Sequence, residues 1–113
     1  MEDCLFCKII KGEIPAKKVY EDDDMVIFKD IDPKAKNHHL CVPKSHFKLL
    51  ADMTAEQSDM LLKCFKKIPT LVKELGLENG YRLVINQGDD AGQSVFHLHI
   101  HILSGQKMGW TPA

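Results

Sequence analysis

The segment Phe96-His97-Leu98-His99-Ile100-His101-Ile102 alternates three imidazoles with four apolar side chains. In a β-strand, successive side chains point to opposite faces. One face then carries Phe96, Leu98, Ile100 and Ile102, and the other carries His97, His99 and His101 in a row. Imidazole is the side chain best matched to nucleophilic attack and proton transfer near neutral pH. A single metal ion does not account for the row. The outer two rings would stand ~13 Å apart on a strand rising ~3.3 Å per residue, whereas zinc holds nitrogens at ~2.0–2.1 Å. Two neighbouring rings can share an ion, or one can join ligands from elsewhere. The row reads as a catalytic edge; the plain alternative is a solvated polar face on an edge strand.

The loop before the row supports chemistry on an anion. Gly88 and Gly92 permit tight turns and close approach of backbone to a ligand. Successive N–H groups in such a turn can form an anion-binding nest. Ser94 adds a hydroxyl and Asn86 an amide, so that a hairpin would converge all of these on a volume suited to phosphate. Asp89 and Asp90 must then point away. An ordinary hairpin turn is the alternative.

The elements that position these groups follow from patterning. At 113 residues the chain is expected to form one domain, residues 1–113, with a real core. A formal net charge of −1 gives no electrostatic case for nucleic acid or a membrane surface. No apolar run approaches the ~20 residues of a membrane span. The acidic start Met1-Glu2-Asp3-Cys4 lacks the pattern of a signal peptide, which places the chain in the cytoplasm. There Cys4, Cys7, Cys41 and Cys64 stay reduced, leaving a metal or an oligomer to reinforce a small fold.

A short helix is expected over 4–11, with Leu5, Phe6, Ile9 and Ile10 apolar, ended by Gly12 and Pro15. Strands are expected over 18–21 and 25–30, around the turn Asp22-Asp23-Asp24. A loop over 31–37 and a strand over 39–42 follow. The long helix is 54–76, opened by a Thr54/Gln57 capping box and closed by Gly76. Its apolar stripe is Leu61, Phe65, Ile68, Val72 and Leu75, and Pro69 predicts a kink or break. Tyr81–Gln87 reads as a strand joined to the histidine strand as an antiparallel hairpin. His38 and His39 read as surface or turn residues, and Cys41 and Cys64 as small buried hydrophobes. Trp110 in the tail needs somewhere to dock. The fold class is α+β: an antiparallel sheet of about five strands, one long helix and a short N-terminal helix.

Gly92-Gln93-Ser94-Val95-Phe96-His97-Leu98-His99-Ile100-His101-Ile102-Leu103 resembles the signature of the histidine-triad superfamily, His-x-His-x-His with apolar residues between. The resemblance runs through nearly the whole chain. It includes Cys4-Leu5-Phe6-Cys7-Lys8-Ile9-Ile10, Glu13-Ile14-Pro15, Tyr20-Glu21-Asp22-Asp23, Phe28-Lys29-Asp30-Ile31 and Val42-Pro43-Lys44-Ser45-His46. The ending Ser104-Gly105-Gln106-Lys107-Met108-Gly109-Trp110 is similar to the Hint branch.

The resemblance implies hydrolysis of purine nucleoside 5′-phosphoramidates or aminoacyl adenylates, through a covalent nucleotidyl-histidine. His99 would be the nucleophile, with His97, His101, His46 and Ser94 completing the catalytic group. Splitting one hard displacement into two is what covalent catalysis offers. Leu5, Phe6, Phe28 and Ile31 would sandwich the base, with Lys29 beside them, and Asp30 would hold the ribose hydroxyls. Asn86, Gly92, Gln93, Ser94, His99 and His101 would surround the phosphate, and Trp110 would shape the leaving-group pocket of a twofold partner. No catalytic metal is implied. The pair Cys4-x-x-Cys7, by itself a redox pair, a metal half-site or chance, would join His46 and His97 around a structural zinc. The chain thus mixes a zinc-type start with a Hint-type end. Two other functions compete. Cleavage of dinucleoside polyphosphates is disfavoured by Ser104-Gly105 where such relatives tend to have Pro-Arg, and a nucleotide-binding adaptor could keep the triad without catalysis.

Overall fold

The two most apolar extended runs pair near the middle of the sheet. The computed structural model describes residues 3–110. Its strands are β1 (Lys18–Glu21), β2 (Met25–Lys29), β3 (Asn37–Pro43), β4 (Tyr81–Val84) and β5 (Ile100–Ser104). They form one antiparallel sheet in the order β1-β2-β3-β5-β4. Three helices accompany it: α1 (Leu5–Ile10), α2 (Ala55–Lys67) and α3 (Val72–Leu75). The expected α+β architecture is the one observed.

Alternation sorts the side chains onto two faces. Met25, Ile27, Cys41, Ile100 and Ile102 meet Leu61, Cys64, Ile68, Leu71 and Leu75 of the helical layer. Val26, Phe28, Leu40 and Val42 meet Phe6 and Ile9 of α1. The site described below lies on this second face. Asp22 makes the β1–β2 turn by accepting from the N–H groups of Asp24 and Met25 at 2.8 and 3.0 Å.

The long helix begins as expected. Thr54 Oγ1 accepts from Gln57 N at 3.2 Å, and Gln57 Oε1 accepts from Thr54 N at 3.0 Å. It does not run unbroken to Gly76. Pro69 has no N–H to give the helical ladder, and Ile68–Thr70 tighten into a 3-10 turn before α3. The apolar stripe also differs from the expected one. Phe65 and Val72 are exposed, and Cys64 and Leu71 are buried in their place. Cys41 and Cys64 are buried as expected.

Two strands are shorter than their alternation indicates. β4 ends at Val84 rather than Gln87, so residues 85–99 link the two strands rather than 88–94 alone, and β4 and β5 pair antiparallel as expected. β5 begins at Ile100, not Phe96. The β3–β5 ladder stops at Cys41 opposite Ile100. Beyond it stands Pro43, which has no N–H to donate, and whose carbonyl faces the His97 ring at 2.7 Å. Residues 96–99 instead run beside 43–47, tied by Leu98 N–H to the Phe47 carbonyl at 2.7 Å. Phe96 consequently leaves the core face and is exposed. β3 also starts earlier than expected, at Asn37. His38 and His39 therefore sit inside a strand and are both buried, which corrects their reading as surface or turn residues.

Gly76 closes the helical layer at φ +70°, and a Cβ there would collide with the Asn37 amide. A non-glycine residue in the left-handed region costs ~1–2 kcal/mol before any clash. Gly76→Ala is expected to lower the urea-unfolding free energy by about 2 kcal/mol or more; an unchanged midpoint and slope would show that the turn relaxes freely.

Candidate active site

Three of the four strand-end imidazoles acquire their orientation from backbone carbonyls or N–H groups. His97 Nε2 lies 2.7 Å from the Pro43 carbonyl. A carbonyl only accepts, so Nε2 carries the hydrogen and Nδ1 keeps its lone pair. His99 Nδ1 lies 2.7 Å from the His97 carbonyl. Here the hydrogen is on Nδ1, and Nε2 is the bare nitrogen. His38 Nδ1 accepts from the Lys34 N–H at 2.9 Å, so its hydrogen is on Nε2. That nitrogen is 2.9 Å from His101 Nδ1, with Asp30 Oδ2 at 3.4 Å. His101 Nδ1 is thus an acceptor, and its Nε2 carries an N–H left to donate elsewhere. The chain from Lys34 through His38 to His101 was not legible in the sequence reading. The signal for it was Leu40 and Val42, which place His38 on their own face of β3.

Two clefts meet at these rings. One, ≈ 390 Å³, is lined at its apolar end by Leu5, Phe6, Phe28 and Ile31, then by Asp30. The other, ≈ 480 Å³, is lined by Asn86, Gly92, Val84 and Leu103. Ser94, His38, His99 and His101 line both. Phe6 meets His99 edge-on at 5.0 Å between ring centres, and His99 meets His101 at 5.0 Å. Burial pushes the pKa of His99 below its ordinary value, the bond to the His97 carbonyl opposing the shift. Burial likewise lowers His38.

Other expected site residues fall differently. Lys29 lines the rim of the first cleft from an exposed position. The Asn86 amide donates to the Ala91 carbonyl at 2.8 Å while lining the second cleft. Gln93 is buried, accepting from Gly88 N–H at 2.9 Å and donating to the Lys48 carbonyl at 3.1 Å. It braces the loop and lines neither cleft. Trp110 is 96% exposed and touches neither; its neighbour Gly109 accepts from the Arg82 guanidinium. Gly88 and Gly92, at φ +84° and +78°, bracket the turn Asp89–Ala91, whose two carboxylates are exposed and line neither cleft.

A second constellation adjoins the first. Cys4 Sγ, Cys7 Sγ, His46 Nδ1 and His97 Nδ1 all lie within 4.8 Å of one another. Sulfur and nitrogen stand 3.5 Å apart for Cys4–His97, 3.3 Å for Cys7–His46 and 3.6 Å for Cys7–His97. Tetrahedral zinc would set such S···N edges at about 3.6 Å. The bond of His97 Nε2 to Pro43 turns the bare Nδ1 toward the thiols, which is how a ligating histidine is usually held. The residues present therefore fit zinc by donor type, spacing and tautomer. Asp30, His38 and His101 also converge within 4.8 Å, where His38 Nε2 stands between His101 Nδ1 and Asp30 Oδ2.

Known proteins resemble this chain over nearly its whole length. The family profile described as HIT domain matches residues 11–108. The Neisseria gonorrhoeae protein HitA is 50% identical over 103 residues, covering 91% of this chain and 96% of that protein. A HIT family hydrolase from Legionella pneumophila superposes with a TM-score of 0.91 at 43% identity, covering 98% of this chain and 100% of its own. A zinc-bound histidine triad family protein from Mycobacterium smegmatis gives 0.79 at 33% identity, covering 99% and 81%.

Burial holds His101 at a pKa of about 4, and the neighbouring His99 and His38 rings add to the effect. Between that value and the ordinary 6.5 the unfolded chain binds more protons than the folded one. Stability rises with pH wherever that is so. The contribution is whole above the unfolded value and is lost as pH falls toward the folded one. Urea titrations from about pH 7 to about pH 4.5 should show unfolding free energy declining, with a shallower decline in His101→Gln; parallel declines would assign the acid sensitivity to other groups.

Proposed function

The chain belongs to the HIT domain family, and on that premise we propose that it is a hydrolase of purine nucleoside 5′-phosphoramidates, with aminoacyl adenylates as related substrates. The observation that carries this reading is the meeting of two clefts at one bare imidazole nitrogen, His99 Nε2. A substrate of two parts, joined at phosphorus, fits a site of two clefts joined at a nucleophile.

The nucleoside takes the first cleft. Its base lies among Leu5, Phe6, Phe28 and Ile31, with Lys29 at the rim, and Asp30 accepts from the ribose hydroxyls. Apolar stacking of this kind reads a purine by shape and separates adenine from guanine weakly. The amine takes the second cleft. His99 Nε2 attacks the α-phosphorus; the P–Nε2 bond forms as the bond to the amine breaks, and the amine leaves with a proton that solvent supplies through the Ser94 hydroxyl, a proton returned to solvent when water attacks in the second step. The ring is then cationic, and its Nδ1–H already donates to the His97 carbonyl, which stabilises that charge. Negative charge on the phosphoryl oxygens meets His101 Nε2–H, Ser94 and the N–H groups around Gly92 to Ser94. Asn86 and Gln93 act one step back, by holding that loop. Water then attacks phosphorus, the P–Nε2 bond breaks and the nucleotide is released.

Cys4, Cys7, His46 and His97 are proposed to hold structural zinc. A closed set of four protein ligands leaves no position for substrate, so the ion would supply cross-linking, not Lewis-acid chemistry. A homodimer like that of Hint-type relatives is supported by β4, which stands at the sheet edge, and by exposed Leu62, Phe65, Val72 and Tyr81. Trp110 would find its contact in that partner. The cytoplasm is the compartment proposed, in keeping with the four free cysteines. Among the described residues, no helix is long and apolar enough to cross a membrane.

With an aminoalkyl adenosine phosphoramidate, wild type is expected to turn over and His99→Ala to lose on the order of 10⁴-fold or more in kcat. Absence of turnover in wild type, or most of it surviving in the variant, would refute the enzyme. Elemental analysis of protein purified without chelator is expected to find zinc near one per chain, and a strong chelator to lower Tm; a metal content near zero would reject the ion.

A further inference from the structure

We propose that Cys4 and Cys7 are a reversible disulfide site, and that its closure disables the nucleophile by slackening the segment that orients it. The coupling to turnover rests on the hydrolase reading above; the bond itself does not.

The two sulfurs already lie within 4.8 Å of each other. Cys4 is the N-cap of α1, and its sulfur accepts from the Cys7 N–H at 3.4 Å. Cysteines three apart on one helical turn have Cα atoms within the ~4.4–6.8 Å that a disulfide spans. Accessibility differs between them. Cys4 is half-buried and lines a surface cleft of ≈ 300 Å³ with His46, Ser94 and Phe96, whereas Cys7 is buried behind it. An oxidant therefore reaches Cys4 first, and Cys7 is the partner that resolves it. Cys41 and Cys64 lie in the sealed core on the other face of the sheet.

With a hydroperoxide as oxidant, the Cys4 sulfur takes one oxygen as the O–O bond breaks, giving a sulfenic acid and an alcohol, or water from hydrogen peroxide. The Cys7 sulfur then attacks; the S–S bond forms, the S–O bond breaks, and the hydroxyl leaves as water with the Cys7 proton. Two thiols lose two electrons in all, and the peroxide gains them. Where zinc holds both as thiolates, solvent supplies the two protons and the ion is released. A dithiol reverses the bond.

The effect on chemistry follows from the chain of contacts. His97 Nδ1 faces both sulfurs at 3.5 and 3.6 Å, and a disulfide is neither a hydrogen-bond donor nor a normal zinc ligand. His97 would lose that tether. Its carbonyl is the group that fixes His99 Nδ1. Next to the two cysteines in the chain stand Leu5 and Phe6, which line the nucleoside cleft, and the Phe6 ring packs on His99. One covalent event thus acts on the nucleophile and on the base pocket.

The test starts with metal analysis of the reduced protein, then treats it with hydrogen peroxide. Expected are a tryptic peptide of residues 1–8 lighter by two hydrogens, resistant to iodoacetamide and restored by dithiothreitol. Zinc found at the start should appear in solution in step with it. Turnover should fall about tenfold or more, the scale on which residues behind a metal site act, and should return on reduction. Cys7→Ser should bridge nothing: peroxide should add oxygen to its Cys4 instead of removing two hydrogens from the peptide. Alkylation of both thiols after peroxide would overturn the site, whatever the variant does. A bridge formed with turnover unchanged would overturn the coupling. A protein without turnover in its reduced state would sink the hydrolase reading alone, and the peptide mass would still decide the bond.

Discussion

Two backbone carbonyls govern the site. Pro43 accepts from His97, and His97 accepts from His99, each at 2.7 Å. The first turns a bare nitrogen toward the thiols; the second turns one toward the clefts. Neutral imidazole has one donor and one acceptor nitrogen, so a carbonyl on one side decides what the other can do. Removing either bond would leave the ring free to swap tautomers, and a site with every ring in place would lose the fixed lone pair that the proposed reaction needs. The row of histidines matters less as a row than as rings with assigned ends.

The same bonds explain why the segment is not a regular strand. A ladder extended in register through residues 96–99 would need partner N–H and C=O groups from 42–45. Pro43 has none of the former and has committed the latter to a side chain. The irregular stretch lets His97 reach back to the Cys4/Cys7 pair while His99 and His101 face the clefts. Backbone regularity is given up where side-chain direction is needed, which is where functional segments usually depart from local rules.

Much of this was legible in residue order. Alternation in Val26-Ile27-Phe28 gave the two faces of the sheet, Thr54 and Gln57 the helix start, and Pro69 the break. What escaped depended on tertiary partners. Phe65 and Val72 fit a helical stripe as well as Cys64 and Leu71 do; the 3-10 turn at Ile68–Thr70 re-phases the chain between Leu71 and Val72, and packing against the sheet decides between Cys64 and Phe65. His38 and His39 look polar in sequence, yet β3 is central and buries both. They differ in fate. His38 gains the Lys34 N–H and His101, whereas His39 faces the helical layer with no hydrogen-bond partner on either nitrogen among the described residues. Composition says nothing about such a difference, because it arises from the face of the sheet each ring takes and the groups that lie there.

Packing imidazoles against one another poses an electrostatic problem. His46, His97, His99, His101 and His38 are linked by ring contacts or by a shared carbonyl. If each kept its ordinary affinity for protons, several would be partly charged near neutrality and would repel across about 5 Å. Desolvation removes the conflict by disfavouring the charged form, and it is the largest cause of the lowered pKa at every one of these rings. The cluster is thereby neutral when empty, with fixed donors and a free lone pair. An incoming phosphoryl group reverses the balance locally, because a nearby anion favours protonated imidazole. In the reaction proposed above, His101 would then donate more strongly as negative charge develops on the phosphoryl oxygens, and the cation formed on His99 would meet an anion at bonding distance. Burial that depresses proton affinity in the free protein is therefore compatible with the proposed catalysis on an anion: it would keep the His99 lone pair free for attack, and the positive charge would appear on the ring only as the bond to phosphorus forms.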